Sequence, residues 1–510
     1  MATVIGQFFR NVLTTYASVV ISLLITFFFT PYLISMLGKV EYGIWTLMFS
    51  IVAYMELADL GMRQSLVRSI SKYLATKDWP QLNQVFSSSV VIYFFIGMII
   101  EIATLAVTFF FLESFQIPEG LMSVAKGCLL VLGTNQAVSF MVIPFSSLGP
   151  FHRFDINVYF SLPTRIVQTV GVIVLLEYGL GLIEMAFLVL AMSLLSRFGL
   201  HLARRKLYPQ VRFSFKDINR EKAGELVNYA MWSFLIVAML MVIYQTDNII
   251  IGRFISMEAV SVFSIGAALI SQLRSIIYNI SVPLVPTISH FEAENQFDRI
   301  VSVYDRSTNY LYFLAGLLTV CTFAFGGPFI LLWVGDGFTE SITVLFIMIV
   351  PAAINFPQLI ANSVLYGISR HKITFWVLMA EAVSNIALSL ILVRYWGIIG
   401  VAVGTAVPQF IIYTIVYPIV FYRELKTPVS RFYKTASRSL LYSAVICVPA
   451  AWIIYQLLKP ETWLNFLIGG CTTALVAAVG FYRLLLDADD KKRLLEKLRS
   501  IIIKVTGKRG

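Results

Sequence analysis

The sequence predicts an all-α polytopic membrane protein of about 14 transmembrane helices, and three observations carry that expectation. Hydrophobic residues make up 58% of the 510-residue chain and charged residues only 13%. The mean hydropathy is +0.81, a composition foreign to water-soluble domains. Apolar runs of roughly 20 residues, each able to cross about 30 Å of hydrocarbon as a helix, recur from end to end with short polar connections. The third observation is an internal repeat.

In chain order the runs fall at 10–35, 40–62, 83–110, 121–148, 155–177, 180–200, 227–252, 258–285, 307–334, 340–366, 372–394, 396–420, 437–458 and 463–486. The first contains Pro31 and leads into Gly38 and Lys39 rather than a small-residue cleavage site, so it reads as a retained span. Basic residues gather in alternate connections: Arg63, Arg68, Lys72 and Lys77, then Arg153, then the stretch from Arg204 to Lys222, then Arg370 and Lys372. The opposite connections carry Glu113 and Glu119, or Asp336 and Glu340. The positive-inside rule then places both termini of a multi-pass protein in the cytoplasm. The net charge of +11 reads as topology and contact with anionic lipid, not as nucleic-acid binding. The closing segment DADDKKRLLEKLRSIIIKV sets Leu494, Leu495, Leu498, Ile501 and Ile502 on one face, the expectation for an amphipathic tail on the cytoplasmic surface. Cys128, Cys321, Cys447 and Cys471 lie in spans at no metal-ligand spacing and read as small packing residues.

The repeat is visible without a gap. LVRSISKYLATKDWPQLNQVFSSS from Leu66 aligns to LVPTISHFEAENQFDRIVSVYDRS from Leu284, an offset of 218 residues. Leu66, Val67, Ile70, Ser71, Ala75 and Val85 meet identical residues, while Tyr73, Trp79 and Phe86 meet Phe291, Phe297 and Tyr304. The same offset brings Gly149 onto Gly367 and Gly179 onto Gly397. Two copies of a six-span bundle follow, and an even span number gives both the same orientation, so they are parallel repeats around a central cavity. The expected organisation is an N-lobe at 1–200, a basic cytoplasmic linker at 201–226, a C-lobe at 227–420, an appended span pair at 421–486 and the tail at 487–510.

Ionisable residues inside spans cost about 2.5–3.5 kcal/mol each on insertion and so face a cavity or one another. The acids are Glu56, Asp59, Glu101, Asp247 and Glu381; the cations are Arg165 and Arg274, with Arg63, Arg153 and Arg253 at span ends. Arg165 lies roughly 15 Å inside its span, near the midplane. For Arg274 the alternative is a buried ion pair or inward snorkelling, and for Arg63, Arg153 and Arg253 an interfacial anchor. A bond to Asn248 or a pair with Arg253 accounts equally well for Asp247. The offset brings Arg274 onto Glu56, which would confront each other across the cavity unless Arg274 pairs within its own lobe.

Catalytic alternatives find no motif. The histidines His152, His201, His290 and His371 show no metal spacing, and there is no Walker A sequence, no GxSxG and no long loop for a glycosyltransferase or ligase site. No cofactor is expected. Work against a gradient would draw on a coupling ion, H⁺ or Na⁺, or on consumption of the product; for ion coupling Glu381 is the first choice and Glu56, Asp59, Glu101 and Asp247 are further candidates.

LGKVEYGIWTLMFSIVAYMELADLGMRQSLVRSIS (Leu37 to Ser71), TDNIIIGRFISMEAVSVFS (Thr246 to Ser264) and PTISHFEAE with its downstream YDRS resemble the Wzx-type oligosaccharide flippases of the multidrug/oligosaccharidyl-lipid/polysaccharide exporter superfamily. The resemblance spans nearly the whole chain. It implies alternating access that moves a polyprenyl-diphosphate-linked oligosaccharide from the inner to the outer leaflet, for O-antigen, capsule or exopolysaccharide assembly, with a polymerase complex as a further partner. Under that implication Arg274, Arg165, Arg63 and Arg153 would replace the diphosphate's hydration, while Tyr54, Tyr244 and Tyr278 would stack on sugar faces. Within the superfamily a lipid II flippase is the alternative. Drug export fits less well, because residues 10–35 hold no acid where drug exporters typically carry an aspartate.

Overall fold

A computed structural model describes residues 2–151, 153–281, 284–486, 491, 492 and 496; the amphipathic tail expected at 487–510 lies almost wholly outside them. The described residues contain no strand. The helices are α1 (Ala2–Met55), α2 (Met62–Ala75), α3 (Trp79–Ala106), α4 (Glu119–Met141), α5 (Ile143–Ser146), α6 (Phe154–Glu177), α7 (Leu182–Leu207), α8 (Arg220–Phe254), α9 (Met257–Ser281), α10 (Leu284–Ala293), α11 (Phe297–Val334), α12 (Thr339–Gly367), α13 (His371–Ile411), α14 (Tyr417–Glu424), α15 (Ser430–Leu458) and α16 (Trp463–Leu484). Large apolar side chains point outward, Phe110 at 80% and Leu457 at 77% exposure, because the solvent they meet is hydrocarbon.

Among the described residues 12 stretches are long and apolar enough to cross a bilayer. The two longest are Val20–Asp59, with 40 residues, and Lys372–Glu424, with 53, about 60 and 80 Å of helix. Each is interrupted at a glycine, Gly38 (φ 72, ψ 174) and Gly397 (φ 55, ψ −133). A β-carbon makes these backbone conformations costly, so glycine is the residue that turns the chain there.

The apolar run 40–62 does not continue as one helix. It closes at Met55, passes through a 3₁₀ turn at Glu56–Asp59 and left-handed Leu60 (φ 48) and Gly61 (φ 73), and restarts as α2. The Asp59 carboxylate accepts from the Arg63 backbone N–H at 3.3 Å, satisfying one of the amides that a new helix leaves open.

The chain divides into two compact units: Met1–Ser264 with Ala382–Val401, and Ile265–Glu381 with Ala402–Gly510. Within the first, α8 packs on α1, α2 and α3. Gly43 of α1 meets the Met257 backbone so closely that a β-carbon would stand 1.8 Å from its carbonyl oxygen. Lys39 pairs with Glu258 at 3.0 Å beside it. Within the second, α11 packs on α12 and α15, around a core that includes Tyr304, Tyr312, Ile360 and Tyr417.

Backbone features recur at a spacing of 218 residues. Lys77 and Asn295 both take positive φ, 55 and 58, as do Gly179 and Gly397, 76 and 55. The helices α2 and α10 end at Ala75 and Ala293, and α3 and α11 begin at Trp79 and Phe297.

The basic segment between α7 and α8 is held along α3 by side chains that act as hydrogen-bond rungs. Asn83 donates to the Gln210 carbonyl and accepts from the Arg212 N–H, both at 3.1 Å. Ser87 accepts from the Ser214 N–H at 3.1 Å, and Ser88 accepts from the Asn219 N–H at 2.9 Å. Asn219 in turn caps α8 by accepting from the Glu221 and Lys222 amides. Lys222 donates to the Tyr73 hydroxyl at 3.0 Å, a bond that, with Glu225, holds its ammonium above the usual pKa.

Candidate functional site: a cationic cavity

Within the first unit, α5, α6, α7 and the start of α2 line an open cavity of about 700 Å³, a volume suited to one ligand headgroup. Its walls are hydroxyl- and amide-rich. Asn157, Ser161, Thr164 and Gln168 of α6 supply one side, at intervals of three and four residues that put them on one helical face. Ser193, Ser196 and Arg197 supply the facing stripe of α7, and Ser146 and Ser147 close the end.

Three arginines line this cavity, Arg63, Arg165 and Arg197, and no acid is among its described lining residues. Arg165 donates to the Ser22 hydroxyl of α1 at 2.9 Å, which aims its guanidinium along α1. The Arg197 Nε lies 3.5 Å from the Ser193 hydroxyl. Arg63 and Arg197 are near enough for their like charges to act on one another. A polar pocket that converges two repelling cations in an apolar helix bundle is complementary to an anion, and the planar forks suit phosphate oxygens.

Arg63 and Arg165, expected from the sequence, therefore meet in one cavity, and Arg197 joins them. Its signal was legible as Ser193, Ser196 and Arg197 along one face of an apolar span. Arg153 does not line the cavity; its guanidinium grips Asp155 through two bonds of 3.0 and 3.1 Å. Asp59 accepts from the Tyr93 hydroxyl at 3.0 Å, and Glu101 from Thr134 at 3.0 Å. The Tyr54 hydroxyl meets that of Thr246, while Asn248 donates to Ser50 at 3.0 Å, and Asp247 is buried between them in sequence. Glu56 is exposed in the first unit, as is Tyr278 in the second. Tyr244 is half-buried in the first.

The second unit holds the other arrangement of interest. Glu381 is 1% exposed and accepts from the Tyr413 hydroxyl at 3.0 Å. Its second oxygen receives no hydrogen bond among the described residues. Arg274, the cation expected from the sequence, lies in the same unit as this carboxylate.

Comparison with known proteins agrees with this architecture. A model of the polysaccharide biosynthesis protein family matches residues 8–292. The uncharacterized membrane protein EpsK of Bacillus subtilis (strain 168) is 18% identical over 507 residues, 97% of this chain and 98% of its own. Among solved structures, the inward closed conformation of the lipid II flippase MurJ aligns with a TM-score of 0.71 at 16% identity, covering 94% of this chain and 99% of its own. The inward-facing conformation of a multidrug resistance MATE family transporter of the MOP superfamily aligns with a TM-score of 0.65 at 15% identity, covering 81% and 96%. The chain is a multi-pass membrane protein with the fold of these transporters, and it belongs to the polysaccharide biosynthesis protein family.

Proposed function

We propose that the protein is a flippase that carries polyprenyl-diphosphate-linked oligosaccharide repeat units from the inner to the outer leaflet by alternating access. The observation that carries this reading is the cavity that sets Arg63, Arg165 and Arg197 among serines, a threonine and amides, with no acid among its described lining residues. A diphosphate needs its hydration replaced by charge-assisted hydrogen bonds as it leaves water, and a sugar needs hydroxyl and amide partners. The family match supports a role in polysaccharide assembly. The long stretches broken at Gly38 and Gly397 are each read as two crossings, giving 14. The backbone features shared at a spacing of 218 residues support two parallel copies. Both termini and the basic linker are assigned to the cytoplasm of the inner membrane.

Coupling to H⁺ or Na⁺ is assigned to Glu381, a buried carboxylate bonded to the Tyr413 hydroxyl. Proteoliposomes loaded with a fluorescent lipid-linked oligosaccharide test the reading: the protein is expected to make inner-leaflet label accessible to an external quencher. A rate equal to protein-free vesicles for every diphosphate-linked sugar tried would refute it. Transport confined to lipid II would assign the chain to cell-wall synthesis instead.

A further inference from the structure

A cavity of about 1240 Å³ lies wholly within the second unit, at the charged ends of α11 and α15. It is separate from the cavity of the first unit and owes nothing to the reading of the transported sugar. Two helical stripes face it. On α15, Arg431, Lys434 and Arg438 succeed one another at intervals of three and four residues; on α11, Asp298, Ser302, Asp305 and Asn309 do the same. The stripes are bridged at one point, where Arg431 meets Asp305 at 2.8 Å. A second pair, Arg370 with Glu424 at 3.6 Å, spans another wall. The lining holds six cations, Arg306, Arg370, Lys426, Arg431, Lys434 and Arg438, against four acids.

With Asp305 and Glu424 engaged by Arg431 and Arg370, Lys434 and Arg438 present two further exposed cations on the stripe. Phe297, Tyr310 and Leu485 give the same cavity an apolar margin. Cations above an apolar rim, at the point where two apolar helices leave the hydrocarbon, suit an anionic headgroup whose chains remain in lipid.

We infer that this cavity binds a phosphate-bearing anion through Lys434 and Arg438. The headgroup of an anionic phospholipid is the ligand that its position favours, and a soluble polyphosphate is the other source of the same chemistry.

The test uses the purified full-length protein, with retained lipid counted by native mass spectrometry after addition of cardiolipin, phosphatidylglycerol or phosphatidylcholine. Removing two surface charges in Lys434→Ala/Arg438→Ala is expected to weaken retention of the two anionic lipids about thirtyfold. The charge-matched pair Lys216→Ala/Arg220→Ala, in the linker of the first unit, is expected to leave it unchanged. Lys434→Gln and Arg438→Gln, each expected to weaken retention about fivefold, keep the question open to measurement if the double variant does not fold. Displacement of bound lipid by millimolar pyrophosphate would extend the site to soluble phosphates, and resistance to it would assign the site to lipid alone. Equal retention by the two double variants, or equal retention of all three lipids by the unaltered protein, would overturn the inference.

Discussion

The arginines of the first cavity differ in what they are bonded to, and that orders their expected effects. Arg197 has a distant hydroxyl contact at 3.5 Å and a like charge nearby, so its removal relieves repulsion in the empty protein while taking a cation from the ligand. Arg197→Ala is therefore expected to insert and melt normally yet lose about tenfold to a hundredfold in substrate affinity, the range for one charge-assisted contact. Binding of labelled diphosphate-linked sugar to purified protein decides it; unchanged affinity would remove Arg197 from the site. Arg165 is also anchored to Ser22 at 2.9 Å. Arg165→Lys keeps the charge and loses the fork, so flipping should fall part-way, and Arg165→Ala should fall further. A drop in protein level with normal specific activity would mark Arg165 as a packing residue.

Helices approach one another most closely where a side chain is missing. At Gly43 an added β-carbon would stand 1.8 Å from the Met257 carbonyl oxygen, a backbone atom that no rotamer change can move aside. Gly43→Ala should destabilise by at least the roughly 1–3 kcal/mol of an overpacked contact. Gly470, inside α16 with nothing within 4 Å of its would-be β-carbon, should gain up to about 1 kcal/mol from the same substitution. Thermal melting in one detergent compares the two; similar shifts would mean the close approach of α1 to Met257 is not maintained in solution. The linker yields a related expectation. Asn83 is 8% exposed and serves two backbone groups of the linker at 3.1 Å, so Asn83→Ala leaves both open at a cost of about 1–3 kcal/mol. Trypsin should then cut sooner at Arg212 and Lys216, and an unchanged digestion rate would show that the linker holds without this rung.

The proposed transport cycle draws on a coupling ion, for which Glu381 is the proposed carboxylate. Glu381→Gln retains the shape and the Tyr413 contact while abolishing titration. In proteoliposomes the unaltered protein should flip faster under an imposed proton or sodium gradient, and Glu381→Gln should flip at one rate with and without it. A variant that still responds to the gradient would move the coupling elsewhere, with Glu101 next: it too has one oxygen bonded, to Thr134 at 3.0 Å, and one buried without a hydrogen bond among the described residues.

Composition and the recurrence of apolar runs were enough to establish a helical membrane protein, since each helix must satisfy its own backbone and meet lipid wherever it stands. The polar face Asn157, Ser161, Thr164 and Gln168 is also written in the periodicity of one segment, but it does not stand out from the sequence until the cavity it lines is seen. Which stripes converge was not legible. Arg63 and Arg197 lie 134 positions apart in the chain and share a cavity through the packing of α2, α5, α6 and α7. Arg153, as plausible an anchor by position, turned instead to Asp155, two residues away. The break at Glu56–Gly61 also escaped the apolar pattern, for it rests on left-handed backbone at Leu60 and an Asp59 cap on α2. Hydrophobicity reports where a segment dissolves, whereas a site is made by through-space distances that folding sets among segments remote in sequence.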